Sequence, residues 1–325
     1  MELRRFGRTE LQISELAFGG GRSGGILIDA DDETRRAAVR RALDLGVNWF
    51  DTAPQYGDGK SEEALGWLLA EVAETPFVST KVRIDIESSE SLVSQVERSF
   101  AASLERLARD SVHLLQIHSL IAPEASGRTI SPDHVLRAGG MADGMEKLRD
   151  QGMIKFLGLT ALGDNGATIE VINSGRFDAA QIYYNMINPS SDWGAPKRGW
   201  TGYDGSGVIN ACRDQDMGVM AIRIFAASYL ATSTRTGRES ILTENTNAET
   251  EERNADAVFA ALGDAHGTRA QSAVRFVLSN KDVSTAIIGL SETAYLDEAF
   301  KGAAMGPLPD EVLFQLDQLC EAGFE

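Results

Sequence analysis

Three titratable side chains stand at the ends of three successive apolar runs, and a fourth lies just behind the first. Val47-Asn48-Trp49-Phe50 leads to Asp51, and the segment continues Thr52-Ala53-Pro54-Gln55-Tyr56-Gly57. Phe77-Val78-Ser79-Thr80 leads to Lys81, and Val112-His113-Leu114-Leu115-Gln116-Ile117 leads to His118. Short runs rich in β-branched and aromatic residues read as buried strands. Asp51, Lys81 and His118 at the C-terminal ends of parallel strands, with Tyr56 beside them, occupy the rim on which barrels do chemistry. A tyrosine acts as a general acid near neutrality only when something lowers its pKa, and a neighbouring ammonium is the simplest such device. Plainer readings exist. Asp51 and Lys81 alone are equally well explained as a structural ion pair, and a lone strand-end histidine is more often structural. Joint placement with Tyr56 favours the catalytic reading.

The elements that must position these residues alternate along the chain. Leu3-Arg4-Arg5-Phe6 and Ile13 to Phe18 flank Gly7-Arg8-Thr9 as an N-terminal β-hairpin, ending in Gly19-Gly20-Gly21. That glycine run marks where the first barrel strand lets a ligand near its backbone, more than a phosphate loop. Acids at Asp31-Asp32-Glu33 suit a helix N-terminus, and Gly46 stops that helix. Leu92, Val96, Phe100, Leu104 and Leu107 form one long helical face. Further strands are expected at 154–159, 179–184, 218–223 and 285–288, and further helices at 142–150, 168–173, 208–216, 255–266 and 269–278. Eight strand–helix units in 325 residues, counted from Ile13, predict a closed (β/α)8 TIM barrel as one domain spanning 1–325. Long excursions at 119–139, 186–204 and 225–250 all follow strands and so form rim loops, the last rich in Ser, Thr, Glu and Asn and expected to be mobile. Trp193 and Trp200, in the second, are expected to touch substrate, with plain loop packing as the alternative.

A net charge of -17 argues against nucleic-acid binding, which needs a basic face. Cys212 and Cys320 are too few for a disulfide framework. His113 and His118 sit at odd separation on one strand, point to opposite faces and share no metal. No secretory h-region and no membrane-length apolar run is found, so a cytoplasmic location is the default expectation.

With these residues in place, the chain resembles the aldo-keto reductase superfamily from Leu3 to about Leu319. The resemblance rests on Phe6-Gly7-Arg8-Thr9, Leu16-Ala17-Phe18-Gly19-Gly20, Asn48 to Gly57, Ser61-Glu62, Ser79-Thr80-Lys81-Val82, Leu115-Gln116-Ile117-His118, Gln181-Ile182-Tyr183-Tyr184-Asn185 and Arg275-Phe276-Val277-Leu278. It implies a (β/α)8 barrel sealed below by a hairpin, and hydride transfer between a nicotinamide cofactor and a carbonyl or alcohol. It implies roles too: Tyr56 as proton donor, Lys81 depressing its pKa, Asp51 holding Lys81, and His118 orienting the carbonyl. Gln181 matches the residue that holds the nicotinamide carboxamide. The usual Ser-Asn before it is Thr160-Ala161 here, and the usual Tyr-Ser on the seventh strand is Ile222-Arg223. Ile222 is expected to pack on the ring and Arg223 to meet the pyrophosphate. Gly20, Phe225, Gly289 and Ser291 complete the cofactor-facing set, with Tyr295 stacking on adenine. From Ile288 to Ala299 there is no cation, while Glu292, Asp297 and Glu298 are present. A 2′-phosphate there would lack a partner, so the cofactor is NAD(H) or NADP(H), leaning to NAD(H).

The leading expectation is an NAD(P)-dependent oxidoreductase for an aldehyde, ketone or sugar-like alcohol. The alternative is a nicotinamide-binding sensor or accessory subunit on the same fold. A Schiff-base aldolase using Lys81 is disfavoured. The partner is a small carbonyl or alcohol, with neither nucleic acid nor membrane involved; substrate identity and oligomeric state are left open.

Overall fold

A computed structural model describes residues 1–21, 24–235, 239 and 246–324. The chain opens with the antiparallel pair β1 (Leu3–Arg5) and β2 (Gln12–Ser14), in which Leu3 faces Ser14 and Arg5 faces Gln12. The barrel strands follow as β3 (Leu16–Gly19), β4 (Trp49–Asp51), β5 (Phe77–Val82) and β6 (Val112–Ile117). Two short strands, β7 (Leu120–Ile121) and β8 (Thr129–Ile130), pair with each other beyond the rim. β9 (Ile154–Ala161), β10 (Ala179–Tyr183), β11 (Gly218–Ile222) and β12 (Thr285–Gly289) complete the ring. All neighbours are parallel, and the order β10-β11-β12-β3-β4-β5-β6-β9 closes on itself as an eight-stranded barrel. The expected strand from Ile13 to Phe18 is therefore two strands. Glu15 divides the hairpin below from the barrel proper, and the strand count of eight begins at Leu16.

Two apolar layers hold this ring. The larger lies between strands and helices and includes Phe50, Val78, Leu115, Leu157 and Ile182. The smaller fills the floor of the barrel with Phe6, Ala17, Trp49, Leu114, Ala179, Met220 and Ile287. Side chains alternate across a strand, so the residue two beyond each floor position points inward one layer higher. Phe6 plugs the bottom. Its ring meets Trp49 edge-on at 5.0 Å, and a Cβ on Gly218 would lie 2.2 Å from Phe6 Cδ2, so that strand start must be glycine.

The covering helices obey their caps. Ser91 accepts from the Ser94 amide before the helix Leu92–Leu107, whose stripe of Val96, Phe100 and Leu107 is buried. Asp31 does the same for Asp32–Asp44, and Thr268 with Gln271 forms a capping box ahead of Arg269–Ser279. Two helices start earlier than their apolar periodicity suggests. Asp164 caps Asn165–Asn173, and Asn247 caps Ala248–Leu262. The second of these caps lies inside the polar excursion 225–250, whose central residues and expected mobility lie outside the described residues.

Candidate active site

One layer above the apolar floor, the barrel interior turns polar. Asp51 on β4, Ser79 and Lys81 on β5, Gln116 on β6 and Gln181 on β10 converge there. The Asp51 carboxylate is their common acceptor. Its Oδ1 receives Ser79 Oγ at 2.7 Å, Gln116 Nε2 at 3.0 Å and Gln181 Nε2 at 2.7 Å. Its Oδ2 receives Lys81 Nζ at 2.6 Å. Trp49 Nε1 donates to Ser79 Oγ from below, tying the network to the floor. Lys81 also donates to the Thr52 carbonyl at 2.9 Å and is wholly buried.

Burial alone would favour a neutral amine. The Asp51 carboxylate, with Tyr56 beyond it, outweighs that penalty and holds the Lys81 pKa above its ordinary value. The ammonium lies 4.7 Å from the centre of the Tyr56 ring. Tyr56 in turn meets His118 edge-on, ring centres 5.7 Å apart. The His118 pKa is pushed well below its ordinary value, first by burial and then by the charges of Lys81, Arg83 and Arg223. The imidazole is therefore neutral at pH 7. Its Nδ1 lies 3.0 Å from Gln55 Oε1, a hydrogen bond that holds the ring in place. The three strand-end residues and Tyr56 thus gather at one end of one barrel. His113 faces away, as its register requires. Its Nδ1 accepts from the Val78 amide, and its ring meets Phe77.

The other expected positions divide. Thr160 and Gln181 are paired in register, and Thr160 Oγ1 is buried without a hydrogen-bond partner, as is Gln116 Oε1. An unmet hydroxyl and amide oxygen beside Gln181 suit a polar amide ligand such as a carboxamide. Ile222 packs against the floor cluster and Phe225 against the outer one. Gly20 is approached by protein: its amide donates to the Asp51 carbonyl, and a Cβ there would lie 2.5 Å from Ser61 Oγ. Gly289, Ser291 and Tyr295 are exposed on the rim.

Arg223, the residue expected at a pyrophosphate, lies near the catalytic groups. Its backbone takes a left-handed φ of 56° directly after β11. Its carbonyl is held by Asn185 Nδ2 and the Ala226 amide, each at 2.9 Å. The guanidinium lies 5.5 Å from the Tyr183 ring, and its charge is felt at Tyr56 and His118. Trp193 and Trp200 pack on each other edge-on at 5.0 Å. Trp193 Nε1 donates to Asp317 on the C-terminal helix Asp310–Glu321, with Lys197 above its ring. Trp200 Nε1 donates to the Tyr203 carbonyl at 3.0 Å. These contacts are loop packing; from the same loop it is Tyr203 that reaches Tyr183, 5.7 Å between centres. Two of the three acids of the last rim segment meet cations that lie outside it. Arg41 Nε donates to Asp297 at 2.7 Å from a helix far away in sequence, and Lys301 lies 3.9 Å from Glu298.

Ser79, Gln116 and Gln55 were given no role in the sequence. The signal was available for two of them. Ser79 precedes Lys81 by two and Gln116 precedes His118 by two, so each shares the inward face of a strand already singled out. Among the described residues there is no metal-binding cluster of His, Cys, Asp and Glu, and no helix long and apolar enough to cross a membrane.

Comparison with known proteins matches this geometry. L-Galactose dehydrogenase of Arabidopsis thaliana is 27% identical over 305 residues, covering 92% of this chain and 86% of the relative. D-threo-aldose 1-dehydrogenase of a Pseudomonas species is 25% identical over 251 residues, 69% of each chain. An aldo-keto reductase of Bacillus halodurans, solved in its holo form, superposes with a TM-score of 0.76 at 17% identity, covering 98% of this chain and 96% of that one. The model of the Aldo/keto reductase family matches residues 15–321. A closed eight-stranded barrel and a family match over nearly the whole chain agree: this chain belongs to the aldo/keto reductase family and is an oxidoreductase.

Proposed function

We propose that the protein interconverts an alcohol and a carbonyl on a sugar-like substrate, with Tyr56 handling the proton at oxygen. The observation carrying this is the buried Asp51–Lys81 pair beneath Tyr56, beside a neutral His118. The sugar-like class is suggested by the names of the relatives, which are dehydrogenases of L-galactose and of D-threo-aldoses.

A nicotinamide cofactor would be held by Gln181 and Thr160 at its carboxamide and by Ile222 at its ring, the unmet Thr160 hydroxyl being what fits an amide. When bound, that cofactor supplies the hydride to the carbonyl carbon or takes it from the carbinol carbon. The chain's own residues do the rest. Tyr56 donates its phenolic hydrogen to the oxygen during reduction and takes it back during oxidation. Lys81 stabilises the negative charge left on the phenol oxygen, and Asp51 holds Lys81 in place. His118, neutral and edge-on to Tyr56, orients the substrate oxygen toward the phenol. NAD(H) is used at least comparably with NADP(H), because Arg41 and Lys301 already face Asp297 and Glu298 and no unengaged cation is left in that segment among the described residues.

The test is Tyr56→Phe. Turnover of a mixed panel of aldoses, aldehydes and ketones should fall by about 100-fold or more, while the Kd for the reduced cofactor stays put. Near-normal kcat in Tyr56→Phe on any good substrate would refute the assignment.

A further inference from the structure

The catalytic end of this acidic protein is locally cationic. Arg83 follows β5 directly, two residues beyond Lys81, and its Nε donates to the His118 carbonyl at 3.1 Å. Arg223 follows β11, four places round the ring from β5, so the two arginines leave the barrel on opposite sides of its C-terminal end. Arg128, on the rim excursion after β6, is close enough to Arg83 for the two charges to repel. Many other arginines meet carboxylates, such as Arg41 with Asp297, Arg106 with Glu62 and Arg176 with Asp143, while Arg275 is satisfied by backbone carbonyls. Among the described residues, none of Arg83, Arg128 and Arg223 has a carboxylate partner. The acid facing Arg223 is Glu251. It is buried, accepts from Thr246 Oγ1 at 2.7 Å, and burial raises its pKa toward the neutral form.

Like charges gathered without carboxylate partners at the mouth of a site concentrate anions from solution. On the oxidoreductase reading given above, we propose that the substrate is itself an anion. Arg83, the guanidinium bound against His118, receives its carboxylate or phosphate group, with Arg128 and Arg223 completing the field. Suitable substrates are sugar acids, aldehydo acids and sugar phosphates. The cofactor pyrophosphate is a poor candidate for the Arg83 side, since the nicotinamide ring and its ribose separate that group from the reacting carbon, whereas Arg83 touches the His118 backbone.

Matched pairs test this: galactose against galacturonate, butanal against succinic semialdehyde, glyceraldehyde against glyceraldehyde 3-phosphate, each with NAD(P)+ or NAD(P)H in the appropriate direction. The charged members should have kcat/KM higher by about tenfold or more, the scale of a charge-assisted hydrogen bond. Added salt should erode that advantage and leave the neutral members little changed. In Arg83→Met the loss for the charged member should exceed the loss for its neutral partner by about tenfold. Arg223→Met and fluorescence titration of the reduced cofactor separate the two sources of anion. If the charged preference survives Arg83→Met, or if Arg223→Met weakens cofactor binding and charged and neutral substrates suffer alike, the proposal fails. Turnover of neutral members with no gain from charge overturns this inference alone. Absence of cofactor-dependent turnover with every compound overturns the oxidoreductase reading and this inference with it.

Discussion

Removing the charge from Lys81 and Asp51, singly and together, tests the buried network most sharply. Lys81→Met leaves a buried carboxylate whose Oδ2 has lost its donor, while Oδ1 keeps Ser79, Gln116 and Gln181. Orphaning one member of a buried pair costs about 3–5 kcal/mol, and the three surviving donors place this change near about 3 kcal/mol. Asp51→Asn leaves the Lys81 ammonium with the Thr52 carbonyl, and a similar cost of about 3 kcal/mol follows. The double variant is different. An asparagine oxygen still accepts from Ser79, Gln116 and Gln181, and no charge remains buried. The double variant should therefore cost about 3 kcal/mol, not about 6, a coupling of about 3 kcal/mol. Urea unfolding at neutral pH, followed by tryptophan emission, reads this well because Trp49 is wholly buried and bonded to the same network. The Lys81 folded-state pKa is raised above 10.5, so the coupling is full below that value and is lost as pH climbs through the raised one. Additive costs in the double variant at neutral pH would refute the reasoning.

Three further outcomes are expected. Gly218→Ala drives a Cβ into Phe6 and should destabilise by about 1–3 kcal/mol; Phe6→Leu in the same chain should relieve part of it, and full additivity in urea melts would count against the contact. The His113 pKa is held at about 4 by burial, then Lys155 and Arg109. Because it is depressed, stability is full above the ordinary histidine value and declines as pH falls toward 4. His113→Gln, which can still accept from the Val78 amide, should flatten that slope, and an unchanged slope would place the titrating group elsewhere. Finally, fluorescence titration should give NADH a Kd no weaker than that of NADPH. A strong NADPH preference insensitive to changes in 289–299 would show that the 2′-phosphate is held outside that segment.

The barrel was legible because each buried strand is a compact apolar run and each ends on a residue of different chemistry. Asp51, Lys81 and His118 needed only strand period and the rule that parallel barrels work at their C-terminal rim. Arg41 beside Asp297 was not legible, because the pair is 256 residues apart and only ring closure joins them. The backbone of Arg223 was not legible, since nothing in an arginine announces a left-handed conformation; its φ of 56° is imposed by the turn that Asn185 and Ala226 hold. The tryptophans' packing was not legible because aromatic residues on a rim loop look alike whether they face a ligand or the terminal helix, and Asp317, the partner of Trp193, lies 124 residues on.

The convergence on Asp51 makes chemistry a late event in the life of the chain. Its acceptor oxygen is satisfied from β5, β6 and β10 together, and β10 arrives 130 residues after Asp51 itself. A folding intermediate holding only the first four barrel strands would contain Asp51, Tyr56, Lys81 and His118 and still lack the donor from Gln181. Regain of turnover during refolding thus reports circularisation of the sheet, whereas far-UV signal reports the formation of its pieces. Comparing the two clocks in one refolding experiment would time the closing of the ring with the protein's own reaction as the probe.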